Sequence, residues 1–208
     1  MKNIIISLLF MLLFFVPDIT AQSKVSFSLG GGYVPFLPEN TKLPYWNGGY
    51  LINFSSEYKL SENAGLFFST SYQKNNFDES LVTFAVPAVV GYRFDVTGEN
   101  SSVYEFSIGG KIYSRGSMIR SYFDIGTGLL LINQGRVEII HWMEGSPNRF
   151  ENLYQDTGKN YILAQFNLGL GVEIELYKSL KLDFDGKMMY SFNGPSYFPV
   201  TALLKIGI

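Results

Sequence analysis

The sequence predicts an all-β chain: an antiparallel up-and-down transmembrane β-barrel of eight strands, with ten as the alternative, behind an N-terminal signal peptide. Three observations predict it. Segment after segment alternates apolar and polar residues with a period of two, the period at which strand side chains switch faces. Each of these segments exceeds the about 9–11 residues a tilted strand needs to cross a bilayer, whereas soluble strands run about 5–6. One face of every segment is free of charge, and the other carries the lysines, arginines and carboxylates. Only a closed barrel lets strands cross lipid without an open edge. The apolar face then meets lipid and the polar face lines the lumen. A soluble barrel with its apolar face inward is the competing architecture.

Composition agrees. Charged residues make up 16% of the chain, against about 25% in a soluble domain. Aromatic residues are equally abundant, with 18 Phe and 14 Tyr. The 16 basic and 18 acidic residues and a pI near 5.5 give no support to nucleic-acid binding. There is no Cys, which removes a disulfide scaffold.

Lys2, the apolar run from Ile4 to Val16, the break at Pro17 and the small residue Ala21 describe a cleavable secretory signal. The run is too short for a spanning helix, which needs about 20 residues. The expected division is 1–21 as signal peptide and 22–208 as one barrel domain.

The strands follow in order. In 24–35, Val25, Phe27, Leu29, Gly31 and Tyr33 oppose Ser26, Ser28, Gly30 and Gly32. In 48–60, Tyr50, Ile52, Phe54, Tyr58 and Leu60 oppose Asn53, Ser55, Glu57 and Lys59. In 64–75, Leu66, Phe68, Thr70 and Tyr72 oppose Ser69, Ser71 and Gln73. In 81–95, Val82, Phe84, Val86, Ala88, Val90, Tyr92 and Phe94 oppose Thr83, Gly91, Arg93 and Asp95, with Pro87 suggesting a bulge. In 121–134, Phe123, Ile125, Thr127, Leu129 and Leu131 oppose Asp124, Gly126 and Gly128. In 161–177, Ile162 to Leu176 form an apolar face opposite Gln165, Asn167, Gly169, Gly171, Glu173 and Glu175. In 180–192, Leu182, Phe184, Met188 and Tyr190 oppose Lys181, Asp183, Asp185 and Lys187. The last strand, 197–208, sets Phe198, Val200, Ala202, Leu204 and Ile206 against Thr201 and Lys205.

A ninth candidate spoils the parity. Tyr104, Phe106, Ile108 and Ile112 alternate with Glu105, Ser107 and Lys111. With eight strands, 96–120 becomes a large periplasmic connection or hairpin. With ten, a further strand lies within 135–160, to which 136–141 contributes. Ser61 to Asn63 and Lys178–Ser179 read as periplasmic turns, and 36–47, 76–80, 135–160 and 193–196 as external loops.

The runs from Phe27 through Leu29, Gly30, Gly31 and Gly32 to Tyr33, from Ser121 to Gly128, and from Asn167 to Gly171 resemble the OmpA/OmpX-type small outer-membrane β-barrel proteins, the outer membrane protein β-barrel domain family. The resemblance spans 22–208. It implies the outer membrane as location, its lipid and the barrel-assembly machinery as partners, and a monomer. Members typically end in an aromatic residue, where this sequence ends in Ile208.

The polar face is the candidate site. Glu57, Lys59, Arg93, Asp95, Glu173, Glu175, Lys181, Asp183, Asp185 and Lys187 are expected to form an ion-pair network in the lumen, because charges inside a narrow barrel must pair. Lys111 and Lys205 supply further cations. Lys181 is expected to reach Glu173 or Glu175. Arg93 is the expected holder of Asp183 and Asp185, since a guanidinium serves two carboxylates.

No catalytic residue, cofactor or metal site is assigned. His141, the single histidine, falls in the longest loop without an evident nucleophile. The glycine runs lie inside strands with no following helix, so they are not phosphate loops and instead permit curvature. Aromatics near segment ends, among them Tyr33, Tyr45, Trp46, Tyr50, Tyr72, Tyr92, Tyr177, Tyr190, Phe192, Tyr197 and Phe198, are expected in interfacial girdles. Trp46 and Trp142 have an alternative reading as ligand contacts. The expected function is a non-enzymatic outer-membrane barrel with a structural or loop-mediated role and a charge-filled lumen. A narrow porin-like channel for small solutes is the alternative, and a lipid-modifying barrel enzyme a third. No external loop partner is identified by the sequence.

Overall fold

The computed structural model describes residues 24–35, 43–83, 92–116, 118–143, 149–156, 158–177, 179–194 and 196–208. The signal expected in 1–21 therefore lies outside the described residues. Among the described residues, twelve strands and one short helix follow in order: β1 (Val25–Val34), β2 (Trp46–Ser61), β3 (Ala64–Phe77), α1 (Glu79–Thr83), β4 (Tyr92–Gly98), β5 (Ser101–Tyr113), β6 (Ile119–Asn133), β7 (Val137–Met143), β8 (Arg149–Asp156), β9 (Asn160–Tyr177), β10 (Leu180–Ser191), β11 (Ser196–Tyr197) and β12 (Val200–Gly207).

Eight of these strands close a ring. The order is β12, β1, β2, β3, β5, β6, β9 and β10, and β10 pairs back onto β12. Every neighbouring pair in the ring is antiparallel. At one end β2 and β3, β5 and β6, and β9 and β10 follow one another within a few residues. At the other end the connections are long, as outer loops are in bacterial barrels.

The strand count of eight holds, but its membership differs. Ring strand 101–113 takes the place of the expected strand 81–95, of which 81–83 are helical and 92–95 lie on β4, outside the ring. The alternation of 81–95 is one-sided: Ala85, Pro87 and Val89 put apolar residues on the face meant to be polar. A proline also cannot donate to a central ladder. β5 instead carries Ser107, Glu105 and Lys111 on its inward face and pairs with β3 from Ala64↔Ile112 to Asn75↔Ser101. The stretch 96–120 is thus neither a periplasmic connection nor a hairpin by itself. Residues 84–91, including Pro87 and its expected bulge, lie outside the described residues.

The two longest outer connections build structure of their own. β4, β7 and β8 form a separate three-stranded antiparallel sheet. The alternation in 136–141 therefore belongs to a real strand, but not to a tenth strand of the ring. Asp78 caps helix α1 from the position before it: its side chain accepts hydrogen bonds from the Ser80 hydroxyl (2.6 Å) and the Ser80 amide (2.9 Å). Those bonds, and one from the Asn47 amide, hold the Asp78 carboxyl below the usual carboxylate range.

The ring is turned inside out relative to a soluble protein. Ile52, Ile108, Ile112, Ile162 and Leu170 are each more than half exposed on its outside. Asn53, Glu105, Asp124, Asn167, Glu173, Asp183 and Lys205 are buried on the inside. An exposed apolar surface of this extent is stable only against lipid. Tyr33, Tyr50, Tyr72, Tyr177, Tyr190, Phe192 and Phe198 remain exposed near strand ends, where a girdle belongs. Tyr197 and Trp46 depart from that expectation, being 5% and 0% exposed. The side chains of Tyr92 and Trp142 lie outside the described residues.

Both buried aromatics belong to an apolar core at the outer mouth. Val34, Leu51, Val103, Leu130, Ile132 and Met189 point in from the ring, and Leu43, Val82, Val137 and Ile139 come from the outer connections. Trp46 donates from Nε1 to the carbonyl of Glu99 at 2.8 Å, tying the start of β2 to the segment after β4. The outer sheet is thus seated on the barrel through apolar contacts.

Candidate functional site

The inward faces bring charges from all round the ring into contact. Lys205 on β12 is the hub. Its Nζ lies 2.7 Å from Glu57 Oε2 and 2.6 Å from Glu173 Oε2, and it donates to the Tyr113 hydroxyl at 3.1 Å. Glu57 is on β2 and Glu173 on β9, and the ring places these strands diametrically opposite one another. One ammonium therefore spans the lumen. The Tyr113 hydroxyl donates to Glu57 at 2.5 Å. Glu173 Oε1 accepts from Lys181 Nζ at 2.6 Å and from Arg120 at 2.7 Å, so three cations converge on that carboxylate.

A second layer lies further along the lumen toward the outer mouth. Lys111 on β5 reaches Asp183 Oδ2 on β10 at 3.5 Å, and the Tyr122 hydroxyl donates to Asp183 Oδ1 at 2.5 Å. The Lys111 ammonium sits 4.0 Å from the centroid of the Tyr122 ring, a cation–π contact. Lys187 pairs with Asp185 at 3.1 Å. Glu105 accepts from Ser71 and Ser107, and Ser107 accepts in turn from Gln165 and Asn167. Asp124 is fully buried, and neither of its carboxylate oxygens has a hydrogen-bond partner.

Glycines give these side chains their room. A Cβ on Gly171 would lie 2.2 Å from the Tyr122 ring, and one on Gly169 would lie 2.5 Å from the Asp124 carboxylate. Each side chain folds over its direct cross-strand neighbour on β9, and that close approach, rather than a special backbone angle, requires glycine at both places.

Among the sequence-derived candidates, Glu57, Glu173, Lys181, Asp183, Asp185 and Lys187 face one another inside the ring. Lys59 and Glu175 are half-buried at the end bearing the short turns. Arg93 and Asp95 do not belong to the lumen. Both lie on β4, whose partner is β7 of the outer sheet. Asp95 is exposed there, and the side chain of Arg93 lies outside the described residues. Arg93 was expected to hold the aspartate pair; Lys111 and Lys187 do so instead. The Lys181 contact goes to Glu173, diagonal in the register, rather than to its direct neighbour Glu175.

Arg120, Tyr113 and Tyr122 are members that sequence reasoning missed. Arg120 was hidden in a stretch taken for a connection. Tyr113 and Tyr122 fall on the polar parity of their strands, which is the sequence signal for their inward position. His141 lies on β7, away from the ring, and its side chain is outside the described residues. No three His, Cys, Asp or Glu residues are gathered as for a divalent metal among the described residues.

The ring, the apolar outside and the charged inside define a small transmembrane β-barrel. Its fold is similar to that of Ail, the attachment invasion locus protein of Yersinia pestis, with a TM-score of 0.52, 11% identity, and coverage of 90% of this chain and 99% of that one. A second Ail structure, in complex with the heparin analogue sucrose octasulfate, gives a TM-score of 0.51 at 13% identity, covering 90% and 98%. The N-terminal β-barrel domain of Pseudomonas aeruginosa OprF gives 0.47 at 11% identity, covering 89% and 98%. No protein-family model and no curated relative matches the sequence. The likeness to Ail extends to the fold as a whole, a single closed ring of antiparallel strands.

Proposed function

We propose that this chain is a non-enzymatic, integral outer-membrane barrel whose lumen is closed, and whose role is structural or exerted through its outer sheet. One observation carries the reading: Lys205 bonds simultaneously to carboxylates on opposite walls of the ring. Little room is left for solute where a single side chain bridges the diameter. The apolar core at the outer mouth supports the same reading, because a path for ions would have to cross a dry, packed layer. Residues 1–21 direct export and are removed, the assembly machinery inserts residues 22–208, and the barrel works as a monomer. β4, β7 and β8 form the surface offered outward.

Planar-bilayer recording tests this. The folded, purified barrel is expected to add no steady unit conductance. Reproducible channels of one size would overturn the closed lumen and establish the narrow-channel reading.

A further inference from the structure

Above the Lys205 hub, between the aspartates and the apolar mouth, the lumen holds a small cavity. It is walled by Asn53, Ser71, Glu105, Asp185, Lys187 and Thr201 among others. Its volume of about 10 Å³ has room for roughly one water-sized occupant. Two of its wall atoms are buried acceptors without a donor: Asn53 Oδ1 and Asp185 Oδ1. Asn53 is 7% exposed and Asp185 5%.

The charges of the wall do not balance. Glu105 and Asp185 are carboxylates, and Lys187 is the one cation among the wall residues named. Lys187 is already committed: its ammonium pairs with the other oxygen of Asp185 at 3.1 Å and lies 5.1 Å from the centre of the Phe67 ring. Glu105 has hydroxyl partners, Ser71 and Ser107, which supply hydrogen bonds but no charge. Asp124 and Asp183 further along the same layer share one more cation, Lys111, so the four carboxylates Glu105, Asp124, Asp183 and Asp185 face two ammonium groups, Lys111 and Lys187. Unpaired charge in a low-dielectric interior is costly until something opposite in sign joins it.

We infer that this cavity binds one monovalent alkali cation, stripped of its hydration shell. Its ligands are Asn53 Oδ1 and Asp185 Oδ1, with the Glu105 carboxylate supplying the compensating charge. A neutral water satisfies the two acceptors but leaves the charge standing. Magnesium fits badly, because it keeps several waters, which a one-water cavity does not admit.

The test is equilibrium urea unfolding of the wild-type barrel in detergent micelles, with folded protein read by its gel mobility. NaCl, KCl and choline chloride are compared at one ionic strength and one pH. A ligand bound only by the folded state raises its stability with the logarithm of concentration. The expected result is a higher midpoint in one of the alkali salts than in choline, widening as that salt replaces choline. Asn53→Leu and Glu105→Gln should each narrow the gap. Equal midpoints of the wild type in all three salts would overturn the site, leaving a water or a proton as the occupant. A crystal grown in rubidium chloride gives a second readout that does not depend on the variants folding. Where KCl is the stabilising salt, an anomalous peak between Asn53 Oδ1 and Asp185 Oδ1 is expected, and its absence at this cavity contradicts the inference.

Discussion

Replacing Lys205 with methionine removes the hub while keeping most of its length and packing. Lys205 is 2% exposed, and its partners Glu57 and Glu173 are 5% and 2% exposed. Their losses differ. Glu57 keeps the Tyr113 hydroxyl but loses the cation that the described residues place within ion-pair distance of it. Glu173 keeps both Arg120 and Lys181. The cost therefore falls on Glu57, and removing one partner of a buried pair costs about 3–5 kcal/mol. Adding Glu57→Gln removes the stranded charge, so the double variant should be more stable than Lys205→Met alone. Lys181→Met is the control. That lysine is partly exposed and shares its carboxylate with two other cations, so a loss near about 1 kcal/mol is expected. The assay is equilibrium urea unfolding in detergent micelles, with folded and unfolded forms separated by gel mobility. A loss below about 1 kcal/mol for Lys205→Met, or a double variant worse than the single, would refute the hub.

Further outcomes follow from packing and from the lipid face. Gly171→Ala should cost about 1–3 kcal/mol by overpacking against the Tyr122 ring, read in the same unfolding assay. Leu170→Arg puts a charge on an outer position that is 68% exposed to lipid, and a loss of about 2–4 kcal/mol is expected if it lies at mid-depth. Trp46→Ala should cost about 3–5 kcal/mol by opening the apolar core at the mouth, and should speed protease cleavage in the outer connections.

The sequence was most legible where lipid and lumen impose opposite demands on alternate residues. β9 shows this: Ile162, Phe166 and Leu170 face out, while Gln165, Asn167 and Glu173 are buried. It was least legible where the outer connections fold on themselves. β4 and β7 alternate as ring strands do, and only their pairing to each other separates them from the barrel. In 81–95 the apolar residues Ala85, Pro87 and Val89 fall on the parity of Arg93, so this segment lacks the polar inward face of a ring strand. The inward face also changes character along each strand. Leu51, Val103, Leu130 and Ile132 occupy polar-parity positions near the outer end, and that switch signals a dry plug. Lys205 was visible as an inward cation, but nothing in one strand's pattern shows that it reaches two opposite walls. That reach follows from ring closure, a non-local property.

The absence of cysteine lets single reporters be placed without background. The most direct test of the closed, lipid-facing barrel is the reaction rate of one introduced thiol at each of two positions that differ by three residues. Asn167→Cys lies on the buried inward face and Leu170→Cys on the outward face. In the folded barrel in lipid vesicles, a membrane-permeant apolar maleimide should label Leu170→Cys, and a charged, water-soluble maleimide should label neither from either side. Rapid labelling of Asn167→Cys by the charged reagent, in protein whose gel mobility shows it folded, would contradict the closed lumen.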